Sequence, residues 1–129
     1  MSENFLSLAG RCLIAMLFLA GAVQKVVDPV AAQALLAGWN WSAALVWPAL
    51  IYNALAGLAL ILGVAVRPVA LSLAGYCALT AFFHLIPDDP WQMSIFVKNW
   101  AIAGGCLVLA VQGGGAWRLR FADKPLGSD

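Results

Sequence analysis

The chain carries seven Lys and Arg, six Asp and Glu and a single histidine, and it concentrates several of them in one place. His84, Asp88, Asp89 and Lys98 all fall within the nineteen residues FFHLIPDDPWQMSIFVKNW (82–100), which lie between two almost wholly apolar stretches. Histidine exchanges a proton near neutral pH, while lysine and asparagine donate hydrogen bonds to anions or carbonyl oxygens. Gln24 and Lys25 close the first apolar stretch and Asn53 lies in the second. With His84, Lys98 and Asn99 they make a candidate ligand site of six residues. It would suit an anion or the carbonyl oxygens of a quinone, whose reduction or oxidation moves protons. Phe82, Phe83, Trp91 and Trp100 would add stacking surface. A lone histidine with no second histidine and no spaced cysteines is not a metal-ligand set, so no metal site is expected.

Each of these residues also has a structural reading. Lys25 stands three residues before Asp28 on one helical face, a spacing that allows a local ion pair. Asn53 can tie two helices together, His84 can sit at a wet edge, and Lys98 can pair with Asp88 or Asp89. Arg11, inside the first apolar stretch, can snorkel to lipid phosphates. Asp28 and Asp89 each precede a proline, the pattern of an N-cap with proline at the first helical position. Gln92 falls three after Asp89, the spacing of a capping box. Arg11, Asp28 and Asp89 are therefore read as structural ionisable residues.

These side chains must be positioned by very apolar elements. Of the 129 residues 64% are hydrophobic and 10% charged, against about 25% charged in a soluble domain. Such a chain cannot cover a water-facing surface. A net charge of +1 offers no field for nucleic acid, and no acidic tail is present. Four apolar segments, 5–27, 43–66, 68–86 and 94–111, each approach the ~20 residues needed to cross a bilayer. The fold expected is an all-α integral membrane four-helix bundle, one domain over 1–112 followed by a flexible cytoplasmic tail, 113–129. A short helix opening at Asp28 and Pro29 and stopping at Gly38 should lie in the interface between spans one and two, with Trp39, Trp41 and Trp47 at headgroup level. Arg67 and Pro68 join spans two and three in a turn so tight that these must be antiparallel neighbours.

Arg67, Arg118, Arg120 and Lys124, with Arg11 nearby, share the side of the termini, whereas Lys25 and Lys98 on the other side are offset by Asp28, Asp88 and Asp89. Positive residues mark the cytoplasmic side, so both termini should be cytoplasmic and the candidate site should face out. Span one lacks the basic residue and short apolar region of a cleaved signal and should be retained. Small residues at Gly57, at Ala74 with Ala78, and at Ala101 with Gly105 are expected helix contacts. Cys12, Cys77 and Cys106 stand singly in three spans with no paired thiol motif, which argues for small buried apolar residues over disulfide exchange.

Two stretches resemble a known family. RCLIAMLFLAGAVQKVVDP and FFHLIPDDPWQMSIFVKNWAIAGGCLVLA are similar to the DoxX family of small four-span membrane proteins. The matching positions include Arg11, Ala20, Gly21, Lys25, His84, Gln92, Met93, Phe96, Lys98, Asn99, Gly104 and Gly105. The resemblance implies a bacterial inner (plasma) membrane location and an association with redox systems that use quinones. It names no settled activity. The sequence shows no haem-ligand pair, flavin fingerprint or Fe–S cysteine set, so a stand-alone enzyme is not expected.

The leading expectation is an accessory or quinone-interacting subunit of a membrane-associated redox system. Its partners would be the lipid bilayer and either a redox protein or further copies of itself, and quinone is the one cofactor the polar cluster would suit. A non-catalytic scaffolding protein comes second. A small-solute transporter comes third, since four spans without broken-helix pairs make a minimal pathway.

Overall fold

In a computed structural model the described residues are 2–117. The helices are α1 (Ser2–Val27), α2 (Pro29–Ala37), α3 (Val46–Leu62), α4 (Val66–Ala81) and α5 (Pro90–Gln112). A 3-10 turn at Ala43–Leu45 leads into α3, and another at Phe82–His84 extends α4. No strand occurs among the described residues. With those turns included, α1, α3, α4 and α5 are long and apolar enough to cross a membrane. The expected all-α four-span bundle with one short connecting helix is therefore what the chain forms. At most 33% of the most apolar window of any span is buried within the protein, so the large apolar side chains of its outer faces require lipid.

The four spans form two closely packed pairs, α1 with α3 and α4 with α5, while α3 with α4 and α1 with α5 touch far less. Small side chains set that pairing. Gly57 of α3 lies against α1 so tightly that a β-carbon there would come 2.8 Å from Leu19 Cγ and 3.3 Å from the Ala15 carbonyl. Across the other pair, Ala70, Ala74 and Cys77 of α4 share one buried cluster with Ala103 and Cys106 of α5. Lipid tails are as apolar as leucine, so close backbone approach at small residues is what holds helices together. Ala101 and Gly105 are exposed, and the seam of α5 instead runs through Ala103, Cys106 and Leu109. Cys77 and Cys106 are buried and Cys12 half-buried, all as free thiols. A cavity lies at each end of the bundle.

The turn between α3 and α4 differs in detail from the expectation. It is Gly63–Ala65, not Arg67 and Pro68: Gly63 takes φ +80°, and its N–H and that of Val64 both reach the Ala59 carbonyl, at 2.8 and 2.9 Å. Glycine occupies this left-handed position without a β-carbon penalty, so α3 stops there. Arg67 and Pro68 then fall inside the first turn of α4, where the missing proline N–H has no helical partner to lose. The two helices are consecutive and antiparallel, as so short a turn requires, yet each finds its main packing partner elsewhere.

The capping expectations separate. Asp89 accepts from the backbone N–H of Trp91 at 3.0 Å and of Gln92 at 3.4 Å, and α5 begins at Pro90. Asp28 occupies the N-cap position of α2, but its side chain makes no capping bond. Nor does Asp28 pair with Lys25, whose ammonium has the Gly21 carbonyl at 3.5 Å as its hydrogen-bond acceptor. Replacing Asp89 with alanine should therefore cost about 1 kcal/mol, while Asp28→Ala should be close to neutral. Amide exchange in the first turns of α5 and α2 checks the contrast.

Arg11 does not snorkel. It is wholly buried, and its guanidinium donates to the Leu60 carbonyl at 2.6 Å, the Ile61 carbonyl at 3.2 Å and the Trp117 carbonyl. Leu60 and Ile61 belong to the last turn of α3, whose carbonyls lack helical donors and carry the negative end of the helix dipole. Residues 113–117 likewise pack back onto α1, with the Ser7 hydroxyl donating to the Gly114 carbonyl at 3.4 Å. The first residues of the expected tail, 113–117, are thus held against the bundle. Arg118, Arg120, Lys124 and the rest of 118–129 lie outside the described residues.

Candidate functional site

At the end of the bundle away from the termini, the gap between the helix pairs forms a cavity of about 420 Å³. Gln24, Lys25, Asn53, His84, Lys98 and Asn99 all line it. Four separate elements deliver them. α1 contributes its last turn, α3 its second, the 3-10 extension of α4 its terminus, and α5 its third turn. Asn53 is deepest, 3% exposed. Lys25, His84 and Asn99 are half-buried, while Gln24 and Lys98 are exposed and form part of the rim.

Gly21 lines the deep part. A β-carbon on it would lie 3.5 Å from Asn53 Nδ2 and 3.8 Å from Lys25 Nζ, so an amide donor and an ammonium donor flank the same point. The Tyr76 phenol neighbours the Asn53 amide and stacks on Tyr52, with ring centroids 5.1 Å apart. The carbonyl oxygen Oδ1 of Asn53 is buried and has no hydrogen-bond partner. An unsatisfied buried acceptor costs about 1–3 kcal/mol, which a donor on a bound molecule would recover. Interhelical tying by Asn53 therefore uses only part of its capacity.

His84 is held by Gln92, whose Oε1 lies 2.6 Å from Nδ1. Because Oε1 only accepts, Nδ1 carries the proton and a neutral ring keeps Nε2 as an acceptor. This also explains why the capping box is incomplete: the Gln92 side chain serves His84 instead of returning to the Asp89 backbone. Lys98 makes no ion pair with Asp88 or Asp89. Asp89 faces the α5 backbone and Asp88 is exposed in the preceding turn.

The aromatic contribution differs from the expectation. Phe83 lines the cavity, but Phe82 and Trp100 stack with Phe96 on another face at 5.8–6.3 Å, and Trp91 is 71% exposed. A phenylalanine pair on a 3-10 turn must diverge, so Phe82 and Phe83 cannot serve one wall. Trp41 supplies the missing ring, lining the cavity and meeting Phe83 edge-on at 5.2 Å; Trp39 meets Phe83 at 5.9 Å. Ala32, Leu35 and Leu36 of α2 also line the cavity, so the connecting helix closes over it as well as linking the spans. Sequence reasoning missed Tyr76, Thr80 and these α2 residues. The tryptophan cluster beside α2 was the available signal.

Comparison with known proteins agrees with the architecture. The DoxX family model matches residues 6–85, a region that includes Arg11, Gln24, Lys25, Asn53 and His84 and ends before α5. Inner membrane protein YqjF of Escherichia coli (strain K12) is 42% identical over 64 residues, which cover 49% of this chain and 49% of that protein. The chain thus spans about half the length of this curated relative. No solved structure matches the chain significantly. Four apolar spans, the likeness to an inner membrane protein and a family match over more than half of the sequence lead to one conclusion: this is an integral inner-membrane protein that belongs to the DoxX family.

Proposed function

We propose that the protein is an accessory, quinone-interacting subunit of a membrane-associated redox system and that the cavity near Lys25 and Asn53 receives the quinone ring. The observation that carries this reading is the convergence of six polar side chains from four elements on one cavity. A volume of about 420 Å³ lies within the range of small-molecule sites. Lys25 Nζ and Asn53 Nδ2 are donors suited to a ring carbonyl, Phe83 and Trp41 offer aromatic edges, and His84 is a group that can exchange a proton. With both termini cytoplasmic, the cavity opens to the outer leaflet, where a quinone tail would extend into lipid. Electrons would come from or pass to a protein partner, since the chain carries no cofactor-ligating motif of its own.

Extraction and mass spectrometry of the purified protein test the proposal. Wild type should retain a quinone in excess of the bulk lipid extract, Asn53→Leu and Lys25→Met should lose it, and Lys98→Ala at the rim should reduce it. Equal quinone content in wild type and Asn53→Leu would sink the reading and favour a purely scaffolding role.

A further inference from the structure

The charge inventory of the same cavity is one-sided. Among the described residues Lys25 from α1, Lys98 from α5 and His84 from the turn after α4 line it, and no Asp or Glu does. The acids at this end are accounted for elsewhere. Asp28 and Asp88 are exposed in connecting segments, Asp89 caps α5, and none pairs with either lysine. Tyr76 and Cys77 of α4 are the other titratable groups on the wall, and they are neutral hydroxyl and thiol groups at neutral pH. The remaining walls are apolar, with Leu17, Leu36 and Leu45 among them.

Lys25 is the telling residue. It is half-buried at the end of a span, and its acceptor is one backbone carbonyl at 3.5 Å, the long limit of a hydrogen bond. An ammonium in such a place faces a steep desolvation cost unless an anion meets it. A neutral quinone carbonyl accepts a hydrogen bond but leaves the charge standing. Charge-assisted bonds are roughly twice as strong as neutral ones.

We infer that this cavity selects an occupant with an anionic head on an apolar body, such as an ionised hydroxyquinone or a long-chain carboxylate. This rests on the reading of the cavity as a ligand site and narrows its ligand class. The ionised oxygen sits over Gly21 between Lys25 Nζ and Asn53 Nδ2, and the apolar body lies against the leucines and Trp41.

The test uses the full chain in phosphatidylcholine nanodiscs at neutral pH. Binding of a hydroxynaphthoquinone, ionised under these conditions, is compared with binding of its neutral methyl counterpart by quenching of tryptophan fluorescence, with protein-free nanodiscs subtracted. Direct binding of dodecanoate to wild type and Lys25→Gln is measured alongside by isothermal titration calorimetry. The ionised compound should bind about tenfold more tightly or better. Lys25→Gln should erase most of that preference and Lys98→Gln part of it. Arg67→Gln, which removes a cation far from the cavity, should leave it intact. Equal binding of the two naphthoquinones would overturn the anion preference while leaving quinone binding standing. Tighter binding of dodecanoate to wild type than to Lys25→Gln, with no binding of either naphthoquinone, would uphold the preference and sink the quinone reading. If neither naphthoquinone binds and dodecanoate binds no better to wild type than to Lys25→Gln, both fail.

Discussion

Arg11→Met should lower the stability of the protein by about 3 kcal/mol, the scale expected when a charged donor loses more than one buried hydrogen bond. The methionine fills much of the same space but donates nothing. The Leu60 and Ile61 carbonyls at the end of α3 and the Trp117 carbonyl of the segment after α5 then lose their shared donor. In detergent the thermal midpoint should fall on the order of 10 °C. Arg11→Lys should recover only part of that loss, because one ammonium cannot span acceptors that a planar fork reaches together. Proteolysis after residue 112 should accelerate in Arg11→Met, since Trp117 is anchored through that side chain. Unchanged midpoints in both variants would show that the Arg11 contacts contribute nothing to stability.

The second large effect is expected at Gly57. The β-carbon of Gly57→Ala would sit 2.8 and 2.9 Å from Leu19 Cγ and Cδ2, so Leu19 must move. Overpacking of this kind costs about 1–3 kcal/mol. Gly57→Val adds two methyl groups where the Ala15 carbonyl is already 3.3 Å from the β-carbon position, and backbone cannot give way as a side chain can. The cost for valine should exceed that for alanine, to about 3 kcal/mol or more. Leu19→Ala should restore stability to Gly57→Ala and much less to Gly57→Val, which a double-mutant cycle measures directly. Because α1 and α3 carry Lys25 and Asn53, Gly57→Val should also weaken any ligand retention without touching the cavity wall.

These two positions show how differently the sequence exposes its reasons. Gly57 was recognisable as a packing residue, because a glycine in an apolar span has few other uses. Arg11 was recognisable as costly, but its partners are 49 to 106 residues away in sequence, and no spacing rule links an arginine in one span to the carbonyl end of another. Similar limits apply to the polar cluster. The six site residues could be assigned to one end of the bundle by counting along each span. Their differing depths could not be foreseen: Asn53 is buried, while Lys98 is exposed at the rim.

The stretch FFHLIPDDPWQMSIFVKNW (82–100) resolves along the same lines. Its local features follow from nearest-neighbour chemistry, as with Asp89 before Pro90 beginning α5. The use of Gln92 does not, because whether its side chain turns back to the cap or across to His84 depends on where the end of α4 lies. Phe82 and Phe83, adjacent in sequence, serve different faces for the same reason.

From sequence alone came the membrane location, the number of spans, the short helix after Asp28 and the shared end of the polar residues. All of these depend on hydropathy and length, which are sums over neighbouring residues. Tertiary structure alone decided that α1 pairs with α3 and α4 with α5, that α2 closes over the cavity and that Arg11 faces carbonyls instead of phosphates. Helix pairing in lipid turns on which small-residue faces meet. That is a property of two surfaces at once, and no single segment of the chain contains it.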